Sequence, residues 1–186
     1  FDNRYMKYLL KVATLGYSIP GAVIAVGIII ASSNIDTFLI ETFGLDGLVL
    51  GGSLAVLCLG YAVRFLAVAL NSVESSFEKI GINVNKASRS LNKSFLTTLI
   101  KVDLPLIKSG VIAAFILVFI DILKELPATL ILRPFNYETL ATKTYELASI
   151  EMVQESSVYA LSIVLISIIP IIYTLKETNE KHTNTK

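Results

Sequence analysis

Asp121, Lys124, Glu125 and Arg133 interrupt the apolar run FIDILKELPATLILRP, and Arg64 interrupts another, LAVLCLGYAVRFLAVAL. A charge among apolar neighbours is expensive and is retained for a partner or a task. Asp121 and Lys124 are spaced to meet on one side of a helix, and Glu125-Leu126-Pro127 then ends that helix, because Pro has no N–H to continue it. Two roles are open to this group: bracing the bundle at an interface, or, for Asp121, Glu125, Pro127 and Arg133, forming an outer gate or a receptor contact. Arg64 has a similar choice. It either snorkels its head to the nearby membrane surface or pairs within the bundle and steadies it.

Catalytic chemistry finds no residues arranged for it. The chain has no Gly-x-x-x-x-Gly-Lys-Ser/Thr phosphate loop, no His-Glu-x-x-His and no Gly-x-Ser-x-Gly. His182 stands alone in a polar tail, and Cys58, the single cysteine, can form no intrachain disulfide. The eight tyrosines are scattered, as interfacial residues are. No catalytic residue, metal site or cofactor is expected in this chain, and no basic face for nucleic acid is apparent.

The elements that must carry these residues are membrane helices. The 186 residues are 54% hydrophobic and 17% charged, with a mean hydropathy of +0.69, which exceeds the usual range of a soluble domain. Apolar runs at 16–31, 48–70, 106–122 and 158–175 approach or reach the roughly 17–25 residues needed to span a bilayer. They lack alternation, and a lone spanning segment must satisfy its own backbone. The expected fold is therefore all-α: one transmembrane domain over 1–186, with a connecting loop at 71–105 and a polar tail at 176–186. Pro20-Gly21 and Gly27 permit a kink in the first span. Lysines and arginines concentrate before the first span, between the second and third, and after the fourth, which places both ends and the 71–105 loop in the cytoplasm. Residues 32–47, with Asp36, Glu41 and Asp46, read as an outer connection. No signal peptide is visible, and the missing initiator Met suggests a piece of a longer polypeptide.

The 71–105 loop has its own pattern. Ser75-x-x-Glu78 offers a capping box, and Phe95, Leu96, Leu99 and Ile100 share one helical face. Lys86-Ala87-Ser88, then Asn92, then Val102-Asp103-Leu104-Pro105 follow at fixed spacing. This spacing resembles the EAA loop of binding-protein-dependent ABC importers, where Glu-Ala-Ala, Gly and Ile-x-Leu-Pro stand. A solvated basic loop would also satisfy the charge rule, but would not require the spacing. Asn92 suits the Gly position, since Asn tolerates a left-handed backbone, and Pro105 suits a first helical turn. Lys86 departs more sharply, being opposite in charge to the family's Glu. GYSIPGAVIAVGI at 16–28 and FIDILKELPATLILRPFNYETLATKTYELAS at 119–149 are similar to the C-terminal half of ferric-iron ABC permeases, which carry two such units.

The resemblance implies a polytopic helix bundle of the type I importer permease kind, this piece holding the last four helices of a unit. It implies a prokaryotic plasma (inner) membrane transport subunit, not an enzyme. Lys86, Ala87, Ser88, Asn92, Val102, Leu104 and Pro105 would form the loop that grips the ATPase. The implied partners are ABC ATPase subunits, which carry ATP and Mg, an extracytoplasmic iron-binding protein, the other permease half and membrane lipid. Permeases for polyamine, sulfate or thiamine are the alternative within the class. A polytopic membrane enzyme built around Glu125, or a membrane scaffold, is the alternative outside it, and the loop spacing argues against both.

Overall fold

The computed structural model describes residues 4–80 and 94–183, and among these every regular element is helical. In chain order they are α1 (Arg4–Ser18), α2 (Gly21–Phe43), α3 (Leu54–Ile80), α4 (Phe95–Thr98), a π-helical turn (Leu99–Asp103), α5 (Leu104–Leu106), α6 (Lys108–Leu123), α7 (Pro127–Leu132), α8 (Leu140–Ser149) and α9 (Val153–Thr183). The fold is all-α and polytopic. Gly21–Phe43, Leu54–Glu78 and Val153–Ile172 are long and apolar enough to cross a membrane. A fourth crossing exists if Leu96–Leu106 and Lys108–Leu123, which meet at a 70° bend, form one broken span. Val23, Ile30, Phe115, Leu161 and Ile169 are all more than half exposed, a surface suited to lipid tails rather than water.

The first span differs from its expected 16–31 limits. Pro20 sits in an extended conformation (φ −54°, ψ 135°) and splits the segment, so the residues before it form α1 and α2 begins at Gly21. α2 then runs on through Ser32, Asn34, Asp36 and Glu41, which the sequence had placed in a connection. The two buried polar groups of this stretch, Ser32 and Asp36, are both hydrogen-bonded, whereas Asn34 and Glu41 are exposed. Ser32 Oγ donates to Ile28 O at 2.8 Å and Thr37 Oγ1 to Ser33 O at 3.0 Å, while the Asp36 carboxylate accepts from the amides of Val49 (3.1 Å), Leu50 (2.8 Å) and Gly51 (2.7 Å). α2 stops at Gly44, whose φ of 65° lets its N–H bond to Ile40 O, the left-handed cap that Gly adopts without strain.

Ser75-x-x-Glu78 does not start a helix either. α3 is continuous through Ile80, and Ser75 Oγ bonds back to Asn71 O at 2.8 Å, the alternative open to a helix-interior serine. Pro170 lies inside α9, and its carbonyl accepts from Thr174 Oγ1 at 2.8 Å.

The buried core lies where α2, α3 and α7 meet: Ile24, Ala25 and Ile28, Val56 and Leu57, and Ala128 and Leu132, with Leu50 and Tyr61 packed against it. Ala25 and Ala128 are fully buried, because small side chains let helices approach where lipid offers no hydrophobic drive to pack them. α8 and α9 form a hairpin held by Ser156 Oγ donating to Thr144 O at 2.9 Å.

Candidate functional site

Two helix breaks face the same point on α3. At the first, between α1 and α2, Ile19 O is left without a helical partner, and Arg64 Nη1 donates to it at 3.2 Å. At the second, between α6 and α7, Glu125 is 6% exposed and its Oε2 lies 2.9 Å from Arg64 Nε. The Nε–H is not aimed along that line, so the attraction is one of charge rather than a directed hydrogen bond. Glu125 Oε1 accepts from Ala128 N–H at 3.0 Å, supplying an amide that the start of α7 would otherwise leave unmet. Thr129 Oγ1 donates to Glu125 O at 2.8 Å and lies 2.7 Å from Tyr61 OH.

Gly21 lies directly against this junction, so a side chain there would displace the ends of both charged groups. A Cβ there would fall 2.7 Å from Arg64 Nη1 and 2.9 Å from Glu125 Oε1, closer than van der Waals contact permits. Arg64 stands ten residues beyond Leu54 and sixteen before Ile80, so it is far from either end of α3. Its charge is used inside the bundle. Of the two roles open to Arg64, the structure shows pairing within the bundle, with Glu125 and the Ile19 carbonyl as its partners. Removing one partner of such a pair leaves the other charge uncompensated, typically a loss of about 3–5 kcal/mol.

The remaining outer candidates fall into separate places. Asp121 pairs with Lys124 at 2.9 Å, as their spacing anticipates. Pro127 occupies the first turn of α7 and is exposed. Arg133 forms an ion pair with Glu138 and donates from Nη1 to Tyr137 O at 3.3 Å. Glu138 Oε2 accepts from Thr142 Oγ1 at 2.8 Å, and Thr142 shares a reciprocal capping box with Thr139 at the start of α8. The hydrogen bond from Arg133 holds the Glu138 carboxyl below its ordinary range. The tight turn from Pro134 to Tyr137, closed by Tyr137 N–H to Pro134 O at 3.1 Å with Asn136 at φ 59°, leaves Phe135 95% exposed.

Of the expected ATPase-coupling residues, Lys86, Ala87, Ser88 and Asn92 lie outside the described residues. Val102 is half-buried within the π turn, and Leu104 and Pro105 are exposed at the start of α5. Pro105 has no amide to give, and the ladder widens immediately before it, with Leu104 N–H reaching back to Leu99 O. Thr98 and Asp103 are buried, whereas Leu96, Ile100 and Leu104 are 66%, 60% and 49% exposed. Of the expected apolar face, Leu96 and Ile100 thus point outward and Leu99 is half-buried. Beyond the bend, Gly110 packs on α3: Ser72 Oγ donates to Gly110 O at 3.3 Å, and any Cβ at Gly110 would overlap Ser76.

Tyr61, Glu138 and Thr142 were not singled out by the sequence, and Gly21 was noted there only as part of a kink. Glu138 and Thr142 lie within the quoted run that contains NYETLAT. Nothing local paired Arg64 with Glu125. Among the described residues, no group of three or more His, Cys, Asp and Glu is placed to hold a metal ion.

No family profile matches the chain. Over 172 residues, 90% of its length, it is 31% identical to the Fe(3+)-transport system permease protein FbpB 2 of Haemophilus influenzae. The chain spans about a third of the length of that relative, 32%.

Proposed function

We propose, on the premise that the chain belongs to the ferric-iron permeases of the binding-protein-dependent ABC importers, that it forms the membrane pathway of one half of such an importer. The observation that carries this reading is the likeness to the Haemophilus permease along nearly the whole chain. It is supported by helices apolar enough to span a bilayer and by the exposed stripe of Leu96, Ile100 and Leu104 on a short helical segment set at 70° to α6. In this reading both ends of the chain and the loop at 71–105 face the cytoplasm. The stripe, with Lys86, Ala87, Ser88, Asn92, Val102 and Pro105, grips a separate ATPase subunit, which holds ATP and Mg.

Closure of two ATPase subunits on ATP pulls this segment, and the 70° bend passes the displacement to α6. Gly110 seated against Ser72 and Ser76 transmits it to α3. ATP binding then favours one bundle arrangement over the other by binding it better. Ferric iron delivered by an extracytoplasmic binding protein is released inward, and Asp121, Glu125, Pro127 and Arg133 lie on the side where gate and receptor contacts fall.

The test is ATP hydrolysis by the full-length permease reconstituted with its ATPase, with iron-loaded, empty or sugar-loaded receptor. Stimulation by the iron-loaded receptor alone is expected. Assembly without a response to iron would move the substrate elsewhere, and failure to assemble would remove the coupling role of residues 86–105.

A further inference from the structure

We propose that Arg64 is the positioning residue that locks the α1–α2 break and the α6–α7 break together on α3, so that the two broken helices move as one unit during transport. This rests on the permease reading and deepens it. A helix break within a lipid-spanning bundle strands backbone groups that lipid cannot satisfy, even where the break is exposed as at Ile19. Here the stranded Ile19 carbonyl is taken by Arg64 at 3.2 Å and the Ala128 amide by Glu125 at 3.0 Å. The two side chains that do this are themselves paired at 2.9 Å. One ion pair therefore closes both breaks, and neither helix can shift against α3 without exposing the other's backbone. Gly21, at the start of α2, is the contact through which the first break senses the pair, since it lies against both Arg64 Nη1 and Glu125 Oε1. Lys124, the adjacent cation, is engaged elsewhere, with Asp121.

The experiment uses the full-length permease with its ATPase and iron-loaded receptor. Wild type, Arg64→Gln, Glu125→Gln, the double variant, Arg64→Lys and Gly21→Ala are compared for assembly, Tm, and the ratio of receptor-stimulated to basal ATP hydrolysis. Each Gln variant is expected to assemble and to lower that ratio about tenfold, with the double variant no lower than the worse single, because both act through one contact. Gly21→Ala, which changes no charge, lowers the ratio in the same way, and Arg64→Lys, with a shorter reach and one nitrogen, restores only part of it.

An unchanged ratio in the single variants overturns the proposal, as do losses that multiply in the double variant. A lowered Tm with the ratio intact also overturns it, since that is the signature of a brace alone. If the Gln variants do not assemble, Gly21→Ala and Arg64→Lys decide by the same criteria. A wild-type complex that shows no receptor stimulation strikes the permease reading itself, and this proposal falls with it.

Discussion

Asp36 is 1% exposed, and its carboxylate holds the chain returning from α2 to α3 by three amides: Val49 at 3.1 Å, Leu50 at 2.8 Å and Gly51 at 2.7 Å. Asp36→Ala removes the acceptor and leaves all three donors facing a gap. A hydrogen bond to a charged group contributes about 1.5–3 kcal/mol. Residues 49–51 are at most part-buried, so water recovers some of this, and roughly 3–5 kcal/mol in total is the expected loss. Asp36→Asn keeps one oxygen for Val49 and Leu50 but turns an NH₂ toward the Gly51 amide, for a loss of about 2 kcal/mol.

The assay is hydrogen exchange of the 49–51 amides in lipid nanodiscs. At about 1.4 kcal/mol per factor of ten, Asp36→Ala should speed exchange at these amides by a hundredfold or more, and Asp36→Asn by about thirtyfold. For a chain of this size the accompanying fall in Tm is about 10 °C for Ala and 5 °C for Asn. Exchange at Val49, Leu50 and Gly51 within about threefold of wild type in the Ala variant would refute the assignment, because among the described residues no other side chain accepts from these three amides.

Gly110→Ala should destabilise by about 1–3 kcal/mol through overpacking, whereas in a Ser76→Gly chain, itself about 0.5–1 kcal/mol less stable for its helix-interior glycine, the same substitution should be accommodated with little further loss of Tm. An equal loss in both backgrounds would mean that α3 and α6 are not in contact there. Leu96→Ser with Ile100→Ser should reduce ATPase co-purification at unaltered Tm, and retention of the ATPase at wild-type yield would remove the stripe from the interface. Lys86→Glu should strengthen ATPase retention by restoring the family's charge, and unchanged assembly and transport would show that the position carries little. The Glu138 carboxyl titrates lower when folded than its ordinary 4.5, so its bond to Arg133 stabilises the fold fully above that value and is lost as pH falls through the lowered one. Between neutral pH and about pH 3 the Tm of wild type should therefore fall more than that of Glu138→Gln, and parallel curves would contradict the pairing.

Hydropathy and charge spacing were enough to read an all-α membrane bundle, because a lipid-spanning segment must be long, apolar and internally hydrogen-bonded, and each of those needs is written in consecutive residues. Local spacing was likewise enough for the Asp121–Lys124 pair and for a helix break just before Pro127, whereas Pro105, expected in the first turn of the next span, lies near the end of the helical run Leu96–Leu106 that precedes it. The register of the first span was not legible. Hydropathy treats Ser32, Asn34 and Asp36 as an exit from the membrane, whereas serine can bond back to its own helix, and Asp36 finds its donors thirteen to fifteen residues away. Ser75-x-x-Glu78 failed for a similar reason, since a four-residue pattern cannot tell a helix start from a helix interior. The junction of Ile19, Gly21, Arg64, Glu125 and Ala128 was decided by tertiary structure alone. Its parts lie on separate segments, and the pairing of a guanidinium with a carboxylate across them depends on where two helices break and how closely a glycine lets them approach.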